Sequence, residues 1–296
     1  MIPQSAIVIV GANGQLGRAL QERLPDAVAL DRQGLDVSDA AAVRAHDWSG
    51  VRAIVNAAGW TDVDGAEDPA NLAAVRAANV DAVAHLAEAA DRAGATLVHV
   101  SSEYVFDGTH PGPMPEDLTP SPLSVYGQSK ADGDLAAAAV ERHYIARTTW
   151  VVGEGRNFVR TMAGLADNGV SPRVVDDQIG RLTFAGDLAD GIVHLLDVGA
   201  DFGTYNITSD GDPVSWCQVA AAVFAVCGRD AADVTGISTR DYLADKPDSA
   251  HRPLNSVLDL SKIIATGFSP PGWRDVIPRY LDRPERRQAP RHPGTE

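Results

Sequence analysis

The stretch "AIVIVGANGQLG", residues 6–17, joins a short apolar run to a glycine-rich turn. Gly11, Gly14 and Gly17 stand at GxxGxxG spacing, directly after a predicted strand and at the start of a predicted helix. In such a turn the first glycine permits a tight bend, and the second lets backbone N–H groups approach a pyrophosphate. The third lets helix and strand pack closely, while the helix N-terminus adds positive potential. The stretch therefore predicts a dinucleotide-binding loop, with a ligand-free turn as the alternative.

Short apolar runs alternate with Ala-rich helical patterns through the first half of the chain. The predicted strands are residues 6–10, 27–30, 51–58 and 95–102, and the predicted helices are residues 14–24 and 69–93. Such alternation indicates βαβ units. The sequence therefore predicts an α/β fold built on a doubly wound parallel sheet of the Rossmann type.

The pattern loses its regularity after residues 144–153, which suggests a second lobe. Within that lobe, residues 203–208 are typical of a strand, and residues 215–228 of an amphipathic helix ended by glycine. The expected division is a Rossmann domain over 1–150, completed by parts of 180–210, a smaller substrate-binding lobe over 151–282, and a charged, proline-rich, disordered tail over 283–296.

Composition excludes several classes of function. Forty acidic against 25 basic side chains give a net charge of -15, which disfavours nucleic acid and anionic membrane surfaces as partners. Cys217 and Cys227 lack CxxC or His/Cys metal spacing, so we expect buried, reduced thiols rather than a disulfide or a zinc site. The sequence has no basic leader and no run near the ~20 apolar residues of a membrane span. We therefore expect a cytoplasmic protein.

Residues after the second predicted strand bear on the choice of cofactor. Asp31 follows that strand about 20 residues beyond the glycine loop, where a carboxylate accepts hydrogen bonds from an adenosine ribose. Arg32 is placed to pair with a 2′-phosphate instead, so the choice between NADH and NADPH stays open. Asp36 and Val37 are assigned to the adenine pocket, and a solvated loop is the alternative.

Two further segments follow strands and are expected to meet the cofactor. Open α/β sheets bind their ligands at the carboxyl ends of the strands. Small residues after the fourth predicted strand, Ala57, Ala58 and Gly59, let the backbone pass close to a cofactor. Ser102, after the fifth predicted strand, can hydrogen-bond a substrate oxygen, or it is simply a strand-end turn residue.

The segment "SVYGQSK", residues 124–130, places a tyrosine four residues before a lysine. On a helix, Tyr126 and Lys130 project from one face about one turn apart. Tyr126 can then give a substrate oxygen its proton, and a cationic Lys130 is expected to lower the phenol pKa from its ~10 reference value. The alternatives are that Tyr126 is a buried ring and that Lys130 is a solvated charge on a helix. Both alternatives fit less well when Ser102 and the glycine loop occur in the same chain.

Together these motifs resemble the extended short-chain dehydrogenase/reductase family. The ordered blocks are similar to those of its dTDP-4-dehydrorhamnose reductase subgroup: "GANGQLG", "NAAGWTDVDGAE", "SSEYVFDG", "PLSVYGQSK", "ARTTWVVG", "NFVRTMAGLA", "DDQIG", "GTYNITSDG" and "HRPLNSVLD". The resemblance implies hydride transfer from NADH or NADPH to the C4 ketone of dTDP-6-deoxy-L-lyxo-4-hexulose, a nucleotide sugar, to give dTDP-L-rhamnose. It implies that Tyr126 is the acid, that Lys130 holds the nicotinamide ribose, and that Ser102 polarises the carbonyl.

The resemblance extends to residue sets on both sides of the cleft. The expected cofactor-binding residues are Gly11, Gly14, Gln15, Leu16, Gly17, Asp31, Arg32, Asp36, Val37, Ala57, Ala58, Gly59, Tyr126 and Lys130. The expected substrate-binding residues are Thr61, Val63, Glu103, Tyr104 and Trp150. For Trp150 a place in the core is an equal alternative, because large aromatic side chains are highly buried on average.

The chain departs from the family pattern at several positions. Ser102 and Glu103 stand where Thr-Asp is usual, and Leu182 replaces a proline in residues 180–183. Some members bridge subunits with magnesium held by glutamates. Ala19 occupies one such position and the block around Gly186 lacks the other, so we expect no metal and no metal-bridged dimer. A homodimer of another kind stays open.

Two other functions compete with the reductase. A nucleotide-sugar epimerase or dehydratase shares the scaffold, but Tyr104 follows Glu103 where a dehydratase carries a second acid. A non-catalytic regulatory subunit would bind the nucleotide without needing the proton donor. Two arginines are left open: Arg252, with His251, lies near the nucleotide or closes the lobe, and Arg181 is a candidate for pairing with a diphosphate.

Overall fold

A parallel six-stranded sheet lies between two layers of helices in the computed structural model, which describes residues 1–246 and 248–282. The strands are β1 (Ile7–Val10), β2 (Val28–Leu30), β3 (Ala53–Asn56), β4 (Thr96–Ser102), β5 (His143–Thr148), β6 (Val151–Val152), β7 (Arg173–Val175), β8 (Ile179–Gly180), β9 (Thr183–Phe184), β10 (Gly203–Asn206), β11 (Val214–Ser215) and β12 (Thr235–Ile237). The order across the main sheet is β10-β5-β4-β3-β1-β2. This order confirms the predicted doubly wound α/β fold.

The helices complete the chain's regular structure. They are α1 (Gln15–Arg23), α2 (Ala40–Ala45), α3 (Leu72–Arg76), α4 (Ala82–Ala93), α5 (Val125–Ala138), α6 (Phe158–Asp167), α7 (Ala185–Val198), α8 (Trp216–Val226), α9 (Thr239–Leu243), α10 (Ser261–Ala265) and α11 (Trp273–Leu281). Within the described residues no helix has both the length and the apolar character needed to cross a membrane.

The apolar strands are buried because helices cover both faces of the sheet. Ile7 and Ile9 of β1 pack with α1 and α7, whereas Val8 and Val10 pack with α2, α4 and α5. Successive side chains of a strand point to opposite faces, so a continuous apolar run is what a doubly covered parallel strand requires. The apolar run that opens the sequence is thus the centre of two cores.

Several predicted boundaries are corrected. The strands predicted at residues 51–58 and 95–102 were counted as the fourth and fifth, but they are the third and fourth in chain order, β3 and β4. The predicted helix 69–93 is interrupted by a π-helical turn at Ala77–Asp81, between α3 and α4. Nothing in an Ala-rich helical pattern indicates that one turn will contain an extra residue. The π-helical turn contains the buried Asn79, whose Oδ1 accepts from the Trp60 N–H at 2.7 Å and whose Nδ2 donates to Ser129 at 2.9 Å.

A third hydrophobic core lies among α6, α8 and α11, with the short strands around it. Leu182, which replaces the family's proline, is fully buried there. Strand β10 instead joins the main sheet beside β5. Cys217 and Cys227 are reduced, as predicted, but both are only half-buried, so the prediction of buried thiols is wrong. The predicted disordered tail, residues 283–296, lies outside the described residues.

The helix–loop contact at Gly17 can be tested by stability. A Cβ at Gly17 would lie 2.2 Å from the Gly11 carbonyl oxygen, so Gly17→Ala should lower the free energy of unfolding by about 2 kcal/mol through overpacking. Gly164→Ala in α6 is the matched control, because no atom lies within 4 Å of its added Cβ among the described residues. Urea unfolding of both variants measures the difference. Equal stability of the two variants would contradict the packing account.

Candidate active site

A cleft of about 1150 Å³ runs along the carboxyl ends of the first five strands of the chain. It is lined by all the predicted cofactor-binding, substrate-binding and catalytic residues except Gly17. Gly17 lies beneath the loop, where it packs against the backbone of Gly11 and Ala12. One continuous surface therefore joins the glycine loop to the YxxxK helix.

The glycine loop has the shape that a pyrophosphate needs. Gly11 has φ +80°, and a Cβ there would lie 2.5 Å from the Ala58 nitrogen, so the loops after β1 and β3 touch through backbone. Gly14 is the N-cap of α1, and no side chain in the described structure caps that helix. Its first N–H groups are therefore free to bind an anion. Beside them, the Oε1 atom of Gln15 is buried with no hydrogen-bond partner among the described residues.

Asp31 is held in place at the ribose end of the cleft. Its carboxylate accepts hydrogen bonds from Asn13 Nδ2 at 2.8 Å and from the N–H groups of Gln33 and Gly34 at 3.0 and 2.9 Å. The Gly34 N–H is the main cause that lowers the pKa of Asp31, so the carboxylate stays charged. This fixed negative charge faces the position where a ribose hydroxyl or a 2′-phosphate would lie.

Arg32 is the competing cation at the same end of the cleft. Its side chain is 84% exposed and pairs with Asp36 at 3.1 Å. The Ser38 hydroxyl is the main cause that lowers the pKa of Asp36, which is therefore ionised as well. An exposed pair of this kind is easily rearranged. Both Asp31 and Arg32 are thus available to a nucleotide, and the geometry leaves the choice of cofactor to their balance.

The catalytic helix α5 is fixed at its start by two side chains. The Ser124 hydroxyl accepts from the Gly127 N–H at 3.0 Å, and Glu67 accepts from the Val125 N–H at 2.8 Å. A Cβ at Gly127 would lie 2.3 Å from the Tyr104 carbonyl oxygen, so α5 lies directly against the turn after β4. These contacts satisfy free N–H groups of the first turn and fix the direction of the next side chain, Tyr126.

Tyr126 and Ser102 come together at the inner end of the cleft. The Tyr126 ring meets the Tyr104 ring edge to face, with centroids 5.3 Å apart, and Ser102 lines the same end of the cleft. Burial is the main cause that raises the pKa of Tyr126, with the Glu103 charge adding to it. This is opposite in direction to the expected lowering by Lys130. The phenol is neutral, as a proton donor must be.

Lys130 is almost fully buried beside Tyr126. Its Nζ donates to the Val100 carbonyl at 2.7 Å and lies 3.5 Å from His99 Nε2. Burial lowers the pKa of Lys130 to about 8, and the charge of Asp134 opposes that effect. The Lys130 ammonium is thus directed at β4. At Tyr126, the loss of hydration raises the phenol pKa by more than the Lys130 charge lowers it.

A buried group of charges behind Lys130 was missed by the sequence analysis. Asp134, one turn further along α5, pairs with Arg147 of β5 at 3.0 Å, and its other oxygen lies 3.9 Å from His99. Arg147 also donates to the Glu116 carbonyl at 2.9 Å. Burial lowers the pKa of His99 well below its usual value, so the imidazole is neutral. Since these residues are far apart in the chain, no local pattern joins them.

Glu103 is more deeply buried than contact with a substrate would require. It is 1% exposed, and its two oxygens accept from Ser102 at 2.7 Å and from Thr149 at 2.8 Å. The nearby Ser256 hydroxyl also favours its carboxylate form. Burial outweighs these three donors and raises the pKa of Glu103 to about 7.

Trp150 forms the opposite wall of the cleft. Its backbone has φ 48°, a left-handed conformation that is rare for a bulky residue, and its ring stacks on Trp216 with centroids 3.8 Å apart. A Cβ at Gly180 would lie 2.8 Å from the Trp150 ring. The ring is half-buried against the third core and lines the cleft, and its contact with a substrate stays a prediction.

The two arginines left open by the sequence lie outside the cleft lining. Arg181 donates to the carbonyls of Gly211 at 2.7 Å and Leu258 at 3.0 Å. Arg252 pairs with Asp64 at 2.7 Å and so ties the second lobe to the loop after β3. The described residues contain no group of three or more metal-ligating side chains.

Other cleft residues were not predicted from the sequence. They include Asn13, Arg18, Trp60, Thr149 and Trp216. Asn13 and Arg18 lie within or just after the glycine loop, and their position next to that motif could have drawn attention to them. Thr149 and Trp216 reach the cleft only through tertiary packing, so their place could not be read from local spacing.

Comparisons with known proteins agree with this arrangement. The family model described as the RmlD substrate binding domain matches residues 5–286. A dTDP-4-dehydrorhamnose reductase from Aggregatibacter actinomycetemcomitans is 40% identical over 291 residues, covering 92% of this chain and 96% of the relative.

Two crystal structures named as dTDP-4-dehydrorhamnose reductases are also similar. The one from Clostridium acetobutylicum is 33% identical with a TM-score of 0.85. The one from Bacillus anthracis, in complex with NADP, is 31% identical with a TM-score of 0.85. Each comparison covers 93% of this chain and 98% of the other.

The buried pair behind Lys130 can be tested by stability. Asp134→Asn removes the charge partner of a buried guanidinium, so the free energy of unfolding should fall by about 3 kcal/mol. Asp132→Asn on the same helix is the matched control, and it should change stability by less than about 0.5 kcal/mol. Denaturant unfolding at neutral pH measures both. A loss at Asp134 no larger than at Asp132 would contradict the role given to the pair.

Proposed function

The chain belongs to the RmlD substrate binding domain family, and from that premise we propose that it reduces a nucleotide-linked 4-keto sugar with NADH or NADPH. The proposed substrate is dTDP-6-deoxy-L-lyxo-4-hexulose, and the proposed product is dTDP-L-rhamnose. One observation carries the proposal: Ser102, Tyr126 and Lys130 lie at one end of the cleft whose other end is the glycine loop. The names of the relatives support the same activity.

The glycine loop fits the dinucleotide. The uncapped start of α1 suits a pyrophosphate, and Asp31 with Arg32 suits the adenosine ribose. Ala57, Ala58 and Gly59 bring backbone to the cleft wall between the two ends. When bound, the reduced nicotinamide supplies the hydride for C4. The binding of NADP by the Bacillus anthracis reductase supports this assignment.

The proton for the C4 oxygen comes from Tyr126 in this proposal. Its raised pKa keeps the phenol protonated until a strongly basic alkoxide develops beside it. Ser102 then stabilises the same oxygen by hydrogen bonding. Lys130, which lines the cleft, is assigned to the nicotinamide ribose and to the positive potential around the phenol. The acid, the hydrogen-bond donor and the cation thus have separate roles.

The remaining predicted contacts concern the sugar. Thr61, Val63 and Trp150 line the cleft beyond Tyr126, and Tyr104 borders it at the second lobe. We assign them to the substrate, with the Trp150 ring flanking the hexose. A cytoplasmic location and a homodimer without a bridging metal remain predictions of the sequence.

Removing the phenol hydroxyl tests the assigned acid. Tyr126→Phe should keep its affinity for NADPH and lose at least ~100-fold in turnover, because general acid catalysis contributes that much. The measurement is loss of reduced-nicotinamide absorbance with the authentic keto sugar. Tyr242→Phe, outside the cleft lining, is the control and should retain parental turnover.

The outcomes separate the competing functions. Unchanged turnover of Tyr126→Phe would refute the role of Tyr126. Conversion of the sugar by the parent without net loss of reduced cofactor would favour an epimerase or dehydratase. Cofactor binding by the parent without any turnover would favour a non-catalytic subunit.

The balance between Asp31 and Arg32 predicts how cofactor preference responds to mutation. Asp31→Ala removes a charge that repels a 2′-phosphate and accepts from a ribose hydroxyl, so the ratio of NADPH to NADH affinity should rise roughly tenfold. Arg32→Ala should lower that ratio. Fluorescence titration with both cofactors measures it, with the exposed Asp26→Ala as control. An unchanged ratio in both cleft variants would place the ribose elsewhere.

A further inference from the structure

A chain of hydroxyl and carboxyl groups leads inward from Tyr126. Ser102 and Tyr126 line the inner end of the cleft together, and Ser102 is close enough to offset part of the rise in the phenol pKa. The Ser102 hydroxyl donates its own proton to Glu103 Oε2 at 2.7 Å. The Tyr104 N–H donates to Ser102 Oγ at 3.2 Å and helps to fix its direction. Glu103 ends the chain, and Thr149 donates to its second oxygen at 2.8 Å. The order of the groups is therefore phenol, hydroxyl, carboxyl.

Each reduction leaves Tyr126 without its proton. The phenolate that remains belongs to a half-buried residue, and it must be protonated again before the next turnover. We propose that Glu103 is the proton store that refills Tyr126 through Ser102. The proposal rests on the proposed reductase function, and it gives Glu103 a role distinct from binding the sugar.

The protons balance over one turnover. The O–H bond of Tyr126 breaks as the O–H bond of the C4 alcohol forms. Ser102 then passes its proton to the phenolate and takes one from the Glu103 carboxyl group. Glu103 is left as a carboxylate, and it recovers a proton from water when the product leaves the cleft. No electrons move in these steps apart from the hydride of the reduction itself.

The surroundings of Glu103 suit both of its protonation states. Burial favours the neutral acid, while three hydroxyl donors, Ser102, Thr149 and Ser256, stabilise the carboxylate. The opposing effects leave its pKa at about 7, so the acid and the carboxylate are both populated near neutral pH.

The ionisable groups around Glu103 lie on several parts of the chain. Burial is the main cause that raises the pKa of Tyr104, on the turn after β4, and of Tyr126, on α5, and the Glu103 charge adds to both shifts. Lys130 lies on α5, and its ammonium is directed at the Val100 carbonyl. The Arg252 charge partly offsets the rise in the Tyr104 pKa, and Arg252 pairs with Asp64. Glu103 is therefore coupled to both phenols.

A substitution that removed both the acidic proton and the hydrogen bonds of Glu103 could not separate a proton store from a structural role. The variant must therefore retain the hydrogen bonds. Glu103→Gln keeps an acceptor oxygen for Ser102 but has no acidic proton to give at neutral pH. Tyr126 still begins protonated in that variant. The first turnover should therefore proceed within about twofold of the parent rate, and later turnovers should slow at least ~10-fold.

Rapid-mixing kinetics with NADPH and the keto sugar compare the first turnover with the steady state. In the parent, steady-state turnover should fall as pH rises through about 7, because Glu103 loses its proton, and this inflection should be absent in Glu103→Gln. Equal slowing of the first and later turnovers, or the same inflection in both proteins, would overturn the store. Absence of turnover in the parent would overturn the proposed function and the store with it.

A titration of the protein alone provides a readout without cofactor or substrate. Infrared difference spectra or carbon NMR of glutamate-labelled protein should show a buried carboxyl group titrating near pH 7, absent from Glu103→Gln. Ser102→Ala should shift this titration to higher pH, because it removes a donor to the carboxylate. Titration of Glu103 near the ordinary glutamate pKa of about 4.3 would overturn the proposal.

Discussion

The backbone of Gly11 lies so close to the peptide of Ala57 and Ala58 that no side chain fits between them. This contact brings the loops after β1 and β3 together and leaves the start of α1 open towards the cleft. Parallel strands end at the same edge of the sheet, so the loops after β4 and β5 complete the wall. The position of every chemical group in the site follows from this close approach, which only a residue without Cβ allows at φ +80°.

Burial then determines the chemistry of the inner end of the cleft. Glu103 and Lys130 are buried and Tyr126 is half-buried, and for each of them the loss of hydration favours the neutral form. The result is a phenol that keeps its proton, an ammonium whose pKa falls to about 8 and a carboxyl group whose pKa rises to about 7. Groups matched in this way can exchange protons near neutral pH. A solvated site with the same residues would hold each group at its ordinary pKa.

Much of this arrangement could be predicted because its signals are local. Gly11 and Gly14 follow an apolar run, and Tyr126 and Lys130 are one helical turn apart, so spacing alone indicates their elements. Other features depend on distant parts of the chain. Arg147 on β5 pairs with Asp134 on α5, and Trp216 on α8 stacks on Trp150. Desolvation is also invisible in a sequence, which is why the direction of the pKa shift at Tyr126 was predicted wrongly.

The proposed chemistry depends on one proton transfer, from the Tyr126 hydroxyl to the sugar oxygen at C4. A crystal structure with the oxidised cofactor and the 4-hydroxy product would locate both oxygens. We expect the Tyr126 oxygen about 2.6–3.2 Å from the C4 oxygen, with Ser102 as the second neighbour of that oxygen. A C4 oxygen beyond the reach of Tyr126 and bonded instead to another proton donor would rule out this transfer.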